Sequence, residues 1–154
     1  MLSPSGGQGF ISLAGEGKSF QALGATWVFK SLGEQTGGTL ETFELFFPPS
    51  VQLPTHVHRQ FDEAIYVLEG ELTVRVGDRT VTMRAGSFAF VPRGTVHRVE
   101  NGGTSPAKIL LWEAPAPSID KLLEEMNQLP PGPTDMGKLL PVLLKYDIEL
   151  VGGS

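Results

Sequence analysis

Between Ala25 and Trp112 the chain is a series of short β-branched and aromatic runs, each closed by glycine, proline, asparagine or aspartate. This punctuation constrains the fold more than any other feature. Ala25–Lys30, Thr39–Phe47, Ala64–Leu68 and Leu72–Val76 read as strands. So do Thr80–Met83, Ser87–Val91, Val96–Glu100 and Ala107–Trp112. Gly77-Asp78 makes a tight connection between two of them. Such regular spacing predicts an antiparallel sandwich or barrel over residues 20–114.

The flanks read differently. Residues 1–19 are rich in Gly and Ser, with Phe10, Ile11 and Leu13 as the only apolar cluster, and are expected to be a loose arm. Residues 115–154 change to a helical period: Ile119, Leu122, Leu123 and Met126 share a face, with Ser118 as the expected N-cap. Leu129-Pro130-Pro131-Gly132-Pro133 stops that helix. A second helix is expected from Leu139 to Tyr146, with Pro141 in its first turn. The pair is expected to cover the barrel or to form a dimer contact.

Charge and composition narrow the partners. The net charge is −5, and the arginines (Arg59, Arg75, Arg79, Arg84, Arg93, Arg98) are scattered, so no nucleic-acid partner is expected. No apolar stretch approaches the length of a membrane span, and the first residues do not resemble a secretory signal. The chain has no cysteine, which removes thiol nucleophiles and zinc–thiolate sites and fits a cytoplasmic protein.

There are three histidines, all in the strand-rich zone. His56 and His58, two apart on an extended segment, face the same side. Glu63 opens the strand that follows, and His97 lies on a separate strand. Three imidazoles and a carboxylate form a mixed N/O set able to hold one divalent transition metal: Fe, Mn, Ni, Co, Cu or Zn. A strand histidine alone is more often a hydrogen-bonded core or surface residue, and a His-x-His pair is modest evidence by itself.

The glycines and prolines around the histidines carry more. Ser50 to Gly70 reads SVQLPTHVHRQFDEAIYVLEG, which resembles the first cupin motif: Gly, five residues, His-x-His, three or four residues, Glu, six residues, Gly. Ser50 replaces the leading Gly, in a loop where Pro48 and Pro49 are expected to make the bend without it. Gly86 to Asn101 reads GSFAFVPRGTVHRVEN and resembles the second motif, met at Gly86, Pro92, Gly94, His97 and Asn101. The short spacer Glu71–Ala85 is similar to that of small single-domain bacterial cupins, including those likened to quercetin dioxygenase.

The resemblance implies an all-β, double-stranded jelly-roll barrel with a short helical C-terminal extension. It assigns His56, His58, Glu63 and His97 as metal ligands. It also implies that Glu63 is the catalytic base, taking a proton from a bound substrate hydroxyl. With every histidine a ligand, no independent histidine base remains.

By strand alternation, Phe43, Leu45, Phe47, Ile65, Phe88, Phe90 (or Val91), Val99 and Trp112 are expected to wall the substrate pocket. The wall is apolar, and no lysine or arginine has a clear claim on it. Together with that wall, the resemblance to quercetin dioxygenase-like cupins implies metal-dependent, dioxygenase-like chemistry on a small apolar or aromatic substrate of enol or flavonol type. A metal-dependent isomerase or decarboxylase, and a non-catalytic small-ligand binder, are the alternatives. Exposed edge strands lead to the expectation of a homodimer.

Overall fold

The computed structural model describes residues 8–152; residues 1–7 of the expected arm lie outside that range. The described chain forms eleven strands and two helices. The strands are β1 (Lys18–Ala22), β2 (Ala25–Ser31), β3 (Glu41–Phe47), β4 (His56–Val57), β5 (Asp62–Glu69) and β6 (Glu71–Val76). They continue as β7 (Arg79–Arg84), β8 (Phe88–Val91), β9 (His97–Glu100), β10 (Ala107–Ala114) and β11 (Glu149–Leu150). The helices are α1 (Ile119–Asn127) and α2 (Met136–Lys145).

Two antiparallel sheets face each other. One has the order β1-β2-β3-β10-β5-β8 and the other β11-β4-β9-β6-β7. Every strand run expected from the sequence is present, and the fold is the double-stranded β-helix that the motifs imply. Three strands were not foreseen. β1 begins inside the stretch read as an arm, while β4 and β11 span two residues each, too short to leave a period in the sequence.

Alternation along the strands builds the core. Phe43, Leu45 and Phe47 of β3 point inward, as do Ile65 and Val67 of β5 and Ile109 and Leu111 of β10. Leu72, Val74 and Val99 meet them from the other sheet. Each such side chain contributes about 1.5–3 kcal/mol by leaving water. Phe43 also packs its ring against Phe29 at 4.9 Å and Trp27 at 5.4 Å.

Gly70, between β5 and β6, is required twice over. Its φ is +74°, and a Cβ there would lie 2.6 Å from the Pro106 carbonyl oxygen. Ser50 corrects one expectation. The loop does demand a left-handed residue at the motif's leading glycine, and Ser50 adopts φ 67° despite its side chain. Proline fixes its own φ near −65° and cannot supply that bend.

Both helix starts also differ from the expectation. Ser118 is left-handed and makes no side-chain cap; the Glu41 carboxylate, on the sheet beneath, accepts the Ile119 N–H at 2.8 Å instead. α2 begins at Met136 because Asp135 caps it, accepting from the Gly137 N–H at 2.9 Å. Pro141 therefore lies inside the helix and not in its first turn. The two helices are joined through Glu125, whose Oε1 accepts from Lys145 and from the Tyr146 hydroxyl. Ile119, Leu122, Leu123, Leu139 and Leu143 bury the apolar side of the pair against the barrel.

Candidate metal centre

The four residues singled out by spacing converge. One nitrogen or oxygen from each of His56, His58, Glu63 and His97 lies within 4.8 Å of all the others. His56 opens β4, and its cross-strand partner is His97 on β9. Glu63 reaches in from β5, on the opposite sheet. The turn at Pro92–Gly94 locks the arrangement: the Gly94 N–H donates to the His58 carbonyl at 2.7 Å. On the far side, β11 pairs with β4, and Asp147 accepts the N–H groups of Arg59 and Gln60 at 2.8 and 2.7 Å.

Each imidazole is oriented by its backbone. Nδ1 of His56, His58 and His97 donates to the carbonyls of Pro54, Phe61 and Thr95, at 2.8, 2.9 and 2.9 Å. A carbonyl only accepts, so Nδ1 carries the hydrogen, and in the neutral ring Nε2 presents a lone pair. Nε2 of His58 and of His97 lie 3.1 and 3.3 Å from the same Glu63 oxygen. His97 Nε2 has no aligned hydrogen-bond partner. Lone pairs aimed at a carboxylate need a positive charge between them, and backbone-tethered histidines around a carboxylate are how proteins hold a divalent ion. The donor set fits such an ion.

The electrostatics agree. Desolvation, aided by the neighbouring His97, pushes His56 down to about 4, so it is a neutral donor near neutral pH. Burial alone would raise Glu63, but the facing His97 and His58 overcome it and hold the carboxyl below the usual range. Burial likewise opposes protonation of His97, and the Glu63 carboxylate outweighs it, raising that histidine. Within the cluster, positive charge is drawn to the Glu63–His97 side.

The cavity beside the cluster holds about 70 Å³. Phe43, Leu45 and Val99 line it as expected from alternation, together with Trp27, Leu53 and Leu111. Ile119, Leu122 and Leu143 of the helices close it. Phe47 and Ile65 are buried in the core and do not border it.

Phe88, Phe90 and Trp112 require a correction. Phe88 and Phe90 are 57% and 54% exposed, and Trp112 lies against Phe88 on the outer face of the sheet. Val91 pairs with Glu63 and Ala89 with Ile65, so the other parity of β8 faces inward.

Sequence reasoning missed two acidic residues. Glu41 on β3 and Glu113 on β10 are register partners, and Glu113 is in turn the partner of Glu63 on β5. Three carboxyl groups thus form one inward row. Burial pushes Glu41 up to about 7 against the Ile119 N–H that holds its charged form. Burial, then the charges of Glu63 and Glu41, raises Glu113 well above the usual range. The signal was present: Phe43, Leu45 and Phe47 inward make Glu41 inward, and Leu111 inward does the same for Glu113.

Comparison with known proteins accords with this geometry. Residues 43–113 match the Cupin domain family. The chain is 36% identical over 80 residues to the tetracenomycin polyketide synthase protein TcmJ of Streptomyces glaucescens, covering 52% of each chain. It is 27% identical over 88 residues to quercetin 2,3-dioxygenase of Bacillus subtilis, covering 57% of this chain and 26% of that one. Among solved structures, the predicted oxalate decarboxylase of Thermotoga maritima superposes with a TM-score of 0.64 at 18% identity. That match covers 68% of this chain and 98% of the other, and it speaks to the fold alone. The chain spans about half or less of the length of the first curated relatives it matches.

Proposed function

The chain belongs to the cupin superfamily, and we propose that it is a metal-dependent, dioxygenase-like enzyme acting on a small aromatic or enolic substrate. The observation that carries this reading is the three backbone-tethered imidazoles turned toward Glu63 at the end of an otherwise largely apolar cavity. His56, His58, Glu63 and His97 would hold one divalent transition ion, which supplies Lewis acidity and, for redox-active metals, electrons.

The chain's own groups do the rest. Glu63 is the base, placed to take the proton of a substrate hydroxyl as it enters the cluster. Phe43, Leu45 and Leu111 favour a planar apolar body over a sugar or a phosphate. The Glu41–Glu113–Glu63 row, with no lysine or arginine among the cavity's lining residues, disfavours a dicarboxylate. The names of the polyketide and quercetin relatives point the same way.

A volume of about 70 Å³ is room for roughly two water molecules and not for an aromatic ring. We infer that α1 and α2, which line this cavity through Ile119, Leu122 and Leu143, act as a cover that shifts when substrate enters. The outer face carries a different feature: Tyr66, Leu68, Phe88 and Phe90 form an exposed apolar patch along the edge strand β8. A two-fold pairing of chains through that edge would cover it, which supports a homodimer. The absence of cysteine suits a reducing cytoplasm, and no described helix is long and apolar enough to cross a membrane.

The test is elemental analysis of untagged protein, followed by oxygen uptake with quercetin and with 2,4-pentanedione. The expected result is one metal per chain and uptake that His97→Ala abolishes. Turnover without oxygen consumption would favour an isomerase or decarboxylase. Tight binding without turnover would favour a ligand-binding protein.

A further inference from the structure

Two spaces meet between the β1–β2 turn and the end of α1. Leu23 and Met126 line the cavity of about 70 Å³ beside the histidine–glutamate cluster, and the same two side chains line a cleft of about 300 Å³ outside it. Solvent reaches the cleft, where Asn127, Pro131 and Pro133 are exposed. Leu23 and Met126 are therefore the partition between solvent and the cluster. Another surface cleft, lined by Gln60, Phe61, Pro115 and Tyr146, shares no lining residue with the cavity.

The two halves of the partition differ in freedom. Leu23 stands in a tight turn at φ 55°, and the Trp27 indole N–H pins that turn by donating to the Ala22 carbonyl at 3.0 Å. Met126 is unbranched and partly buried, and it lies in the last turn of α1. Rotation of that side chain, with a small shift of the helix end, would join the two spaces.

Their sizes give them complementary roles. The inner cavity is too small for a ring, whereas about 300 Å³ lies at the lower end of the range of small-molecule sites. The cleft wall is largely apolar, through Leu23, Leu129, Pro130, Pro133 and Leu139. None of the four cluster residues borders it, so it suits a substrate's body and not its reacting end.

We propose that this cleft is the entrance to the metal-side cavity and the seat of the distal, apolar part of an elongated substrate, with Met126 setting which substrates pass. The reacting hydroxyl end lies at the cluster, and a second ring or chain remains in the cleft. The substrate class rests on the functional reading above; the route does not.

The route is tested on metal-free protein carrying Trp112→Phe, in which Trp27, 7% exposed and lining the inner cavity, is the one remaining tryptophan. Acrylamide quenching of its fluorescence should rise about threefold in Met126→Ala, which opens the partition. Leu23→Gly, which also relieves a left-handed residue, should do the same and decides the matter if the methionine variant does not fold. Gln60→Ala, at the unconnected cleft, should leave quenching at its starting value. Unchanged quenching in both partition variants, or a rise in Gln60→Ala, would overturn the route.

The distal seat is tested on cobalt(II)-loaded protein without oxygen, titrated with catechol and with 3-hydroxyflavone and followed through the cobalt absorption bands. Thr134→Trp, which fills the exposed cleft, should weaken the flavonol about tenfold and leave catechol affinity unchanged. Equal weakening of both compounds, or of neither, would overturn the seat while leaving the functional reading intact. If neither compound perturbs the bands, the aromatic-substrate reading falls and takes the seat with it, and the quenching result still judges the entrance.

Discussion

Two neighbouring rows of the six-stranded sheet lie two residues apart on the same strands and do opposite things. One runs Phe43, Leu111, Ile65, Ala89 across β3, β10, β5 and β8; the other runs Glu41, Glu113, Glu63, Val91. The first is wholly apolar and packs into the core. The second places three carboxyl groups beside the histidines, where burial works against their charge. The barrel thus concentrates its unfavourable electrostatics in one row and rests that row on a fully packed neighbour. Apolar packing and buried charge share strands but not positions.

Separate roles can be broken by separate substitutions. His97→Ala should lower metal affinity by at least about a hundredfold, the scale expected for losing a ligand outright. In the metal-free protein the loss also strips the buried Glu63 carboxylate of a partner, so melting should fall by several degrees without abolishing the fold. Equal collapse of the metal-free fold would show that the histidines are structural. Phe43→Ala, in the apolar row, should cost about 3–5 kcal/mol in a urea titration. Metal per folded chain should stay constant; a specific loss of metal would erase the boundary between the rows.

Glu41 sharpens the comparison through pH. Its folded pKa of about 7 lies above the ordinary 4.5, so the folded state binds that proton more tightly. The stabilisation is complete below about 4.5 and is lost as pH rises through 7. Urea unfolding should show roughly 2 kcal/mol less stability at pH 8 than at pH 5 from this group. Glu41→Gln should reduce the slope, and Glu113, raised by burial and by the charges of Glu63 and Glu41, should account for the slope that remains. The smallest effect lies outside both rows. Ser50→Gly should add about 1 kcal/mol by relieving the left-handed serine, read as a rise of a few degrees in melting temperature.

Much of this was legible in the sequence, because strands announce themselves by a period of two and turns by glycine and proline. The four cluster residues were readable for the same reason, since fixed spacing between turn residues carries them to one point. Failures came where the signal was short or ambiguous. β8 has four residues, and phenylalanines on one parity looked like the inner face, while Val91 and the pairing to Glu63 decided otherwise. Glu41 and Glu113 were passed over because a glutamate at a strand end usually faces water. β11 could not be read at all, since two residues have no period and its pairing partner lies about ninety positions earlier.

That last strand has a consequence for the order in which the molecule is made. Synthesis delivers His56, His58, Glu63 and His97 well before residues 147–151, which clamp the strand and loop carrying the first two histidines. At roughly 5–20 residues per second, the ligands wait several seconds on the ribosome before their clamp is translated. The segment carrying His56 and His58 therefore gains its second strand partner last, after every other residue of the cluster has been made.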